Sequence, residues 1–474
     1  MKYLTLLFIA TIGLSSCKKD FLNRESVLEI PEENIGETAQ RIEGQVNGIY
    51  ATVKSGTLYG GRMLIYNDIR GEEFLNRGRN GVTGYSVYQF INDPSDSYVA
   101  NFWISGYLTI NRVNIFLENI EKVKEGVLTP AQKTQFIAEV KFVRAMAYYA
   151  LVQLFAKPYA ADNGASKGIP LRLLPEKTIA NNTIAKATVK EIYDQILKDL
   201  TDAEAGVPKS FNSQYLASTR AHTNTVIAFK TRIYLAMKNY PKVIEEANKM
   251  VKDNPPYETK TGVYHALVAR PESVFRDKMN AERILSFPFE LTNIPGTQNQ
   301  LAYYYNAGNV EYYLNKAAGG IYANPNWPNT DARKISLTDP DVFGFLIITK
   351  YTDVDTYLDW APIIRYAEVL LNLAEAEAEA GSQARALSLL KAIRHRSDPG
   401  YQFPAFANKQ SLVDAILLER RIELLGEGFR IPDLQRRNSP ITSVGAARVI
   451  DPSDEQYVFP VPLREVIDNV DINK

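Results

Sequence analysis

Hydrophobic positions recur three and four residues apart along most of this chain. In "TPAQKTQFIAEVKFVRAMAYYALVQLF", Phe136, Val140, Val143, Ala147, Ala150 and Leu154 fall on one stripe, which predicts an amphipathic helix. Thr129 and Gln132 have capping-box spacing, and Pro130 takes the first helical position, where its missing N–H costs nothing. Pro158 ends the pattern. "FWISGYLTINRVNIFLENIEKV" predicts a helix with Trp103, Tyr107, Ile110 and Val113 or Asn114 on one side, and "TVKEIYDQILKDLTDAEAG" another that ends at Gly206.

Two helical hairpins follow. "TVIAFKTRIYLAMKNYPKVIEEANKMVKD" breaks at Asn239-Tyr240 and restarts at Pro241. "IIRYAEVLLNLAEAEAEAGSQARALSLLKAIRHR" breaks at Gly381-Ser382, a terminal glycine followed by an N-cap serine. Ala236 and Ala247 in the first, and Ala374, Ala378 and Ala386 in the second, sit where paired helices approach closely. Such pairs resemble tetratricopeptide units, which bury their apolar faces by stacking. "SLVDAILLERRIELLGEGFR" closes the helical series. The charged runs "AEAEAEAG" and "LLERRIELL" read as intrahelical pairs on a solvated face.

Elsewhere the texture changes. Residues 257–356 lose helical periodicity and accumulate Asn, Gly, Pro and aromatics, with "RILSFPFEL" alone alternating like a strand. Residues 57–96 share that texture. The expected architecture is therefore mostly α: a helical-hairpin scaffold over 97–253 and 361–430, carrying loop-rich segments at 57–96 and 257–356, with little β.

At the N-terminus, Lys2 and the apolar run Leu4 to Leu14 form a signal-peptide pattern too short to span a bilayer. Leu14-Ser15-Ser16-Cys17 then matches a bacterial lipobox. Cys17 is the only cysteine in 474 residues, and once acylated it leaves no thiol for a disulfide, a metal or catalysis. Residues 1–16 read as the leader and 17–474 as one mature, membrane-anchored domain.

Composition narrows the function. Lys plus Arg and Asp plus Glu number 54 each, so the chain lacks the basic footprint of a nucleic-acid binder. His222, His265 and His395 are isolated, with His395 at a helix end where a cation suits the dipole. No P-loop, dinucleotide, zinc-protease or nucleophile-elbow motif occurs. Asp353, Asp355 and Asp359 share a loop but lack the glycine of an EF-hand, and neither a metal nor a cofactor is expected. The 28 tyrosines are the unusual entry. Flat rings beside Asn, Asp and Arg match what sugar recognition needs: apolar platforms with a few placed polar groups. The candidate ligand residues are Tyr66, Asn67 and Asp68 near the N-terminus. In the middle segment they are Tyr304 within the Tyr303–Tyr305 run, Tyr322, Asn324 and Trp327, with Asn306 and Asn326 interleaved.

Six segments in order resemble the SusD/RagB family. They are "NGIYATV", "FWISGYLTINRVN", "AEVKFVRAMAYYALVQLF", "IRYAEVLLNLAEAEAEAG", "LLERRIELLGEGFRIPDLQRR" and "VFPVPLREVIDNVDIN", the last with Pro460, Pro462 and Glu465 matching the family's Pro-Ile-Pro-x-x-Glu. The resemblance implies four tetratricopeptide-like pairs and an irregular ligand half. It also implies an outer-membrane lipoprotein that faces outward. Such a protein captures oligosaccharides without catalysis and delivers them to a SusC-like TonB-dependent β-barrel. Some relatives serve peptide uptake, a second ligand class. A lipid-anchored glycosidase is the third reading. Lys18-Lys19-Asp20 departs from the acidic residues that often follow the family's lipid cysteine.

Overall fold

The structure, a computed structural model, describes residues 36–474 apart from 79, 83, 179–181, 297 and 307–309. The leader and Cys17 lie outside the described residues. The N-terminal helices are α1 (Ala39–Val53) and α2 (Arg62–Ile69), followed by strand β1 (Phe74–Asn76). Next come α3 (Ser97–Ile120), α4 (Pro130–Phe155), α5 (Val189–Gly206), α6 (Gln214–Thr219), α7 (Thr223–Ala236) and α8 (Tyr240–Met250). The middle segment supplies β2 (Arg283–Phe287), β3 (Tyr312–Leu314), β4 (Thr338–Pro340), β5 (Leu346–Ile348) and β6 (Ala361–Arg365). The chain ends with α9 (Tyr366–Ala380), α10 (Gln383–Ser397), α11 (Lys409–Glu423), α12 (Arg430–Arg436) and α13 (Leu463–Asp468).

Helix α4 is the axis of the core. Its capping box is made as expected, Thr129 accepting from the Gln132 amide while Gln132 reaches back to Thr129. From Phe142 to Phe155 every residue is buried, so the expected single stripe holds only for the first turns. "RAMAYYALVQLF" is apolar all round, and such a helix is stable only when neighbours enclose it. Helices α1, α3 and α5 do so. Both hairpins break where the sequence places them: Asn239 caps α8 by accepting from the Lys242 amide, and Ser382 caps α10 through Arg385. One apolar cluster runs from Ile42 to Phe459 and takes residues from every long helix.

Three expectations fail. Residues 62–69 form α2 inside a segment expected to be loop, and every residue of it is buried, so burial rather than propensity holds this turn-rich stretch helical. Strand β2 pairs antiparallel with β6, but all five of its residues are buried, with no exposed alternate face. The acidic runs are not solvated either. Glu375 of α9 holds Arg436 bidentately at 2.5 and 2.6 Å, Glu377 takes Arg385 at 2.8 Å, and Glu368 takes Arg232 at 2.7 Å. In α11, Glu419 and Glu423 are sealed in the interior. A carboxylate at helical spacing pairs equally well across elements, and only tertiary contact decides which happens. No helix among the described residues is long and apolar enough to cross a membrane.

Candidate ligand-binding face

The two loop-textured segments are joined by antiparallel pairing of β1 with β3, strands more than 200 residues apart in sequence. Phe74 faces Leu314, Leu75 faces Tyr313 and Asn76 faces Tyr312. The period-two geometry of a strand sends Tyr312 and Tyr313 to opposite sides of this ribbon.

On the inner side the tyrosines form a wall. Tyr312 stacks on Tyr304 at 5.8 Å with rings 5° from parallel, and meets Tyr88 edge-on at 5.4 Å. Tyr305 packs on Phe74 at 4.8 Å, and Tyr66 meets Phe459 edge-on at 5.8 Å. This wall overturns most of the expected platform. Tyr66, Asn67, Asp68, Tyr304 and Trp327 are all buried, at 0–2% exposure, and offer no face to a ligand. Each has an internal role instead. The Asn67 amide donates to the Met63 carbonyl at 2.9 Å and to Gln153 at 3.0 Å. Asp68 accepts from the Gly428 and Arg430 amides at the start of α12, at 2.8 and 3.3 Å. Burial pushes its carboxyl up to about 7 even against those bonds. Trp327 meets Tyr322 edge-on at 5.9 Å. A tyrosine ring buries as much apolar surface as phenylalanine, so rings concentrated near the core pack into it.

Tyr322 and Asn324 stay half-buried. The Lys334 ammonium sits 4.4 Å above the Tyr322 ring and donates to the Tyr322 and Trp327 carbonyls. Asn324 accepts from the Asn326 amide at 2.9 Å, tightening the turn before Trp327. Asp353 and Asp359 spend their carboxylates on backbone amides of their own loop. Among the described residues no group of three or more His, Cys, Asp or Glu is placed to hold a metal.

The outer side of the ribbon carries a patch that the sequence reading missed, in which Phe343 is exposed, Tyr313 and Phe345 are half-buried and the Arg77 side chain lies beneath at 5% exposure. Tyr313 lies 4.7 Å from Phe345. The Arg77 guanidinium, just past β1, lies 4.6 Å from the Phe345 ring and 4.7 Å from that of Phe343, within cation–π range. Phe343 is 64% exposed. It projects from the tip of the β4–β5 hairpin, whose turn is fixed by Asp341 accepting from the Phe343 and Phe345 amides at 2.9 and 2.8 Å. Gly344, at φ 82, closes that turn in a conformation that favours glycine. Asp341 also lies 3.9 Å from Arg77, so one carboxylate sets both the turn and the cation. The signal was present in "DPDVFGFLII", a turn-forming Asp and Gly with aromatics between two strand-like flanks.

The family model described as "SusD family" matches residues 153–462, and one described as "Starch-binding associating with outer membrane" matches residues 20–235. SusD-like protein P38 of Formosa agariphila is 22% identical over 512 residues, covering 98% of this chain and 97% of that protein. A crystal structure of a SusD superfamily protein from Bacteroides fragilis superposes with a TM-score of 0.83 at 35% identity, over 93% of this chain and 100% of that one. A laminarin binding SusD-like protein shares the fold with a TM-score of 0.72 at 19% identity, over 92% and 98% of the two chains. The mostly helical architecture, the match over most of the length and the 35% identical relative agree, and this chain belongs to the SusD family.

Proposed function

We propose that this protein is a non-catalytic surface lipoprotein that captures oligosaccharides and delivers them to a SusC-like TonB-dependent β-barrel in the outer membrane. The observation that carries the ligand assignment is the exposed Phe343 ring on a hairpin with a locked tip, backed by Phe345, by Tyr313 of β3 and by the Arg77 guanidinium beneath it. Preset rings cost little ordering entropy on binding. Family membership and the laminarin binding relative support a glycan as ligand. The outer-membrane family description supports the location, and Cys17 behind a lipobox supports a lipid anchor on one mature domain from residue 17.

Isothermal titration against a panel of neutral glucans, laminarin included, and against a peptide library tests the ligand class. Saturable glycan binding without turnover is expected. Binding of peptides alone would move the chain to the peptide-uptake reading, and hydrolysis of a bound glycan would end the non-catalytic one. Co-purification of a large β-barrel from detergent-solubilised outer membranes tests the partner.

A further inference from the structure

A cleft opens elsewhere on the molecule, between one face of α1, helix α6 and the turn after β2. It encloses about 350 Å³, within the roughly 300–1,000 Å³ of small-molecule sites. Residues Glu43, Asn47, Ala51 and Lys54 line it at helical spacing from α1, with Tyr215 from α6 and Asn293 from the turn opposite. Three observations describe how it is built. The Tyr215 ring is 40% exposed, yet it is braced edge-on against Trp360 at 5.6 Å, so its open face is held in place. The polar groups are also fixed. Arg220, buried at the cleft floor, is held by Glu139 at 2.6 Å and donates to the Asn47 side-chain oxygen Oδ1 at 2.7 Å. That bond orients the Asn47 amide on the exposed rim. Lys54 donates to the Pro288 carbonyl at 2.8 Å. Finally, Glu43 and Lys54 oppose each other in sign, and the Arg220 charge is matched by Glu139, so the lining favours neither anions nor cations.

A braced ring, an oriented amide and balanced charges suit an uncharged polyhydroxylated ring. We propose that this cleft is a second carbohydrate-binding site, sized for one or two neutral sugar units and distinct from the Phe343 patch. Two sites on one anchored chain would raise the residence of a long glycan by effective concentration, without a stronger contact at either. The inference rests on the reading of the ligand as a glycan.

Its test is the stoichiometry for laminaritriose, maltotriose, cellotriose and mannotriose, by calorimetry on the whole chain. Two molecules of one triose are expected to bind. Tyr215→Ala, and separately Ala51→Arg, which fills the cleft from an exposed helix position, should each leave one molecule bound. Phe343→Ala should remove the other and spare the cleft. In hydrogen exchange, the triose should slow amides of residues 47–54 and 215–220 in the native chain and not in Tyr215→Ala. A single site, unchanged by Tyr215→Ala and Ala51→Arg but lost in Phe343→Ala, overturns the cleft and leaves the main assignment standing. If no triose binds, the glycan reading fails and the cleft fails with it.

Discussion

The Arg365 guanidinium lies 2.6 Å from the Glu427 carboxylate, with both side chains sealed from water. Arg365 also holds Glu282 at 2.5 Å and Glu423 at 3.1 Å, while Arg396 and Arg333 reach Glu423 at 2.6 and 2.8 Å. Lys350 adds a bond to Glu427 at 2.6 Å. The network ties β6, α10 and α11 to the middle segment, so the scaffold and the loops carrying the Phe343 hairpin are pinned by the same charges. Burial pushes the Glu423 carboxyl up, but Arg396, Arg365 and Arg333 outweigh it and hold the group well below the usual carboxylate range.

Removing one member of such a network leaves its partners buried and unpaired, at a cost of about 3–5 kcal/mol. Glu423→Gln should lower the unfolding free energy by that order, read from the urea midpoint. A depressed folded pKa contributes stability above the unfolded carboxylate range and loses it as pH falls through that range. The variant should therefore lose less on acidification than the native chain.

Gly106 lies where α3 crosses α4, and a Cβ built there would meet Leu151 at 2.7 Å. In an exposed helix, glycine to alanine stabilises, because alanine has the better propensity. Here overpacking outweighs propensity, and Gly106→Ala should cost about 1–3 kcal/mol, measured by chemical denaturation. A rise in stability would show that the crossing has room to open.

Periodicity and capping chemistry are local, and they made the helices readable: Thr129, Asn239 and Ser382 cap where the sequence places them. Which side of a segment faces inward is a tertiary fact. "YYY" at 303–305 has the same composition whether its rings line a cleft or a core, and the structure buries Tyr304 and Tyr305. The proposed patch was hidden for the same reason, since Arg77 meets Phe343 only because β1 pairs with β3 across a long sequence gap. Glu419 and Glu423 misled in the opposite direction, as charges at solvated-helix spacing that the fold buries.

His222 and His265 stack at 5.3 Å with rings 16° apart, both in the interior. His222 caps α7 through the Thr225 amide, and His265 bonds the Ala281 carbonyl at 3.0 Å. Burial lowers the His265 pKa to about 4; burial, with His265 as neighbour, lowers that of His222 well below its ordinary value. At His265 the unfolded chain therefore binds more protons than the folded one between about pH 6.5 and 4, so its contribution to stability falls as pH drops through that window, and His222 acts with the same sign. For His265 this amounts to about 2 kcal/mol between pH 7.5 and 5. Asp68, with its folded pKa raised to about 7, has the opposite slope and loses stability as pH rises toward neutrality. The clean readout is thus a difference: His265→Asn should lose less stability than the native chain over that range. Parallel profiles would contradict the buried neutral pair.

Cys17→Ala should shift the protein from the membrane fraction to the soluble one after cell lysis. Several acyl chains on one cysteine are needed for stable attachment, so loss of that single thiol removes the whole anchor. Glycan affinity of the released chain should be unchanged, because the substitution leaves the Phe343 hairpin as it is. A variant that stays with membranes would contradict anchoring through Cys17.

The last prediction separates exposed rings from buried ones. Phe343 is open on a locked hairpin tip, so truncation should remove ligand contact without disturbing the core. Phe343→Ala should weaken glycan binding by about 1–3 kcal/mol, roughly 5- to 150-fold, with the melting temperature nearly unchanged. Trp327→Phe should do the reverse. Its ring is 2% exposed, and its indole N–H has no hydrogen-bond partner among the described residues, so the change costs stability through lost packing and leaves affinity as it was. Tyr304→Phe, which loses a 3.2 Å bond to the Gln298 carbonyl, should follow Trp327. Calorimetric titration beside thermal melts of the three variants gives both axes at once. If Trp327→Phe abolishes binding while Phe343→Ala spares it, the ligand enters the core, and the patch on the outer face of the β1–β3 ribbon is not the site.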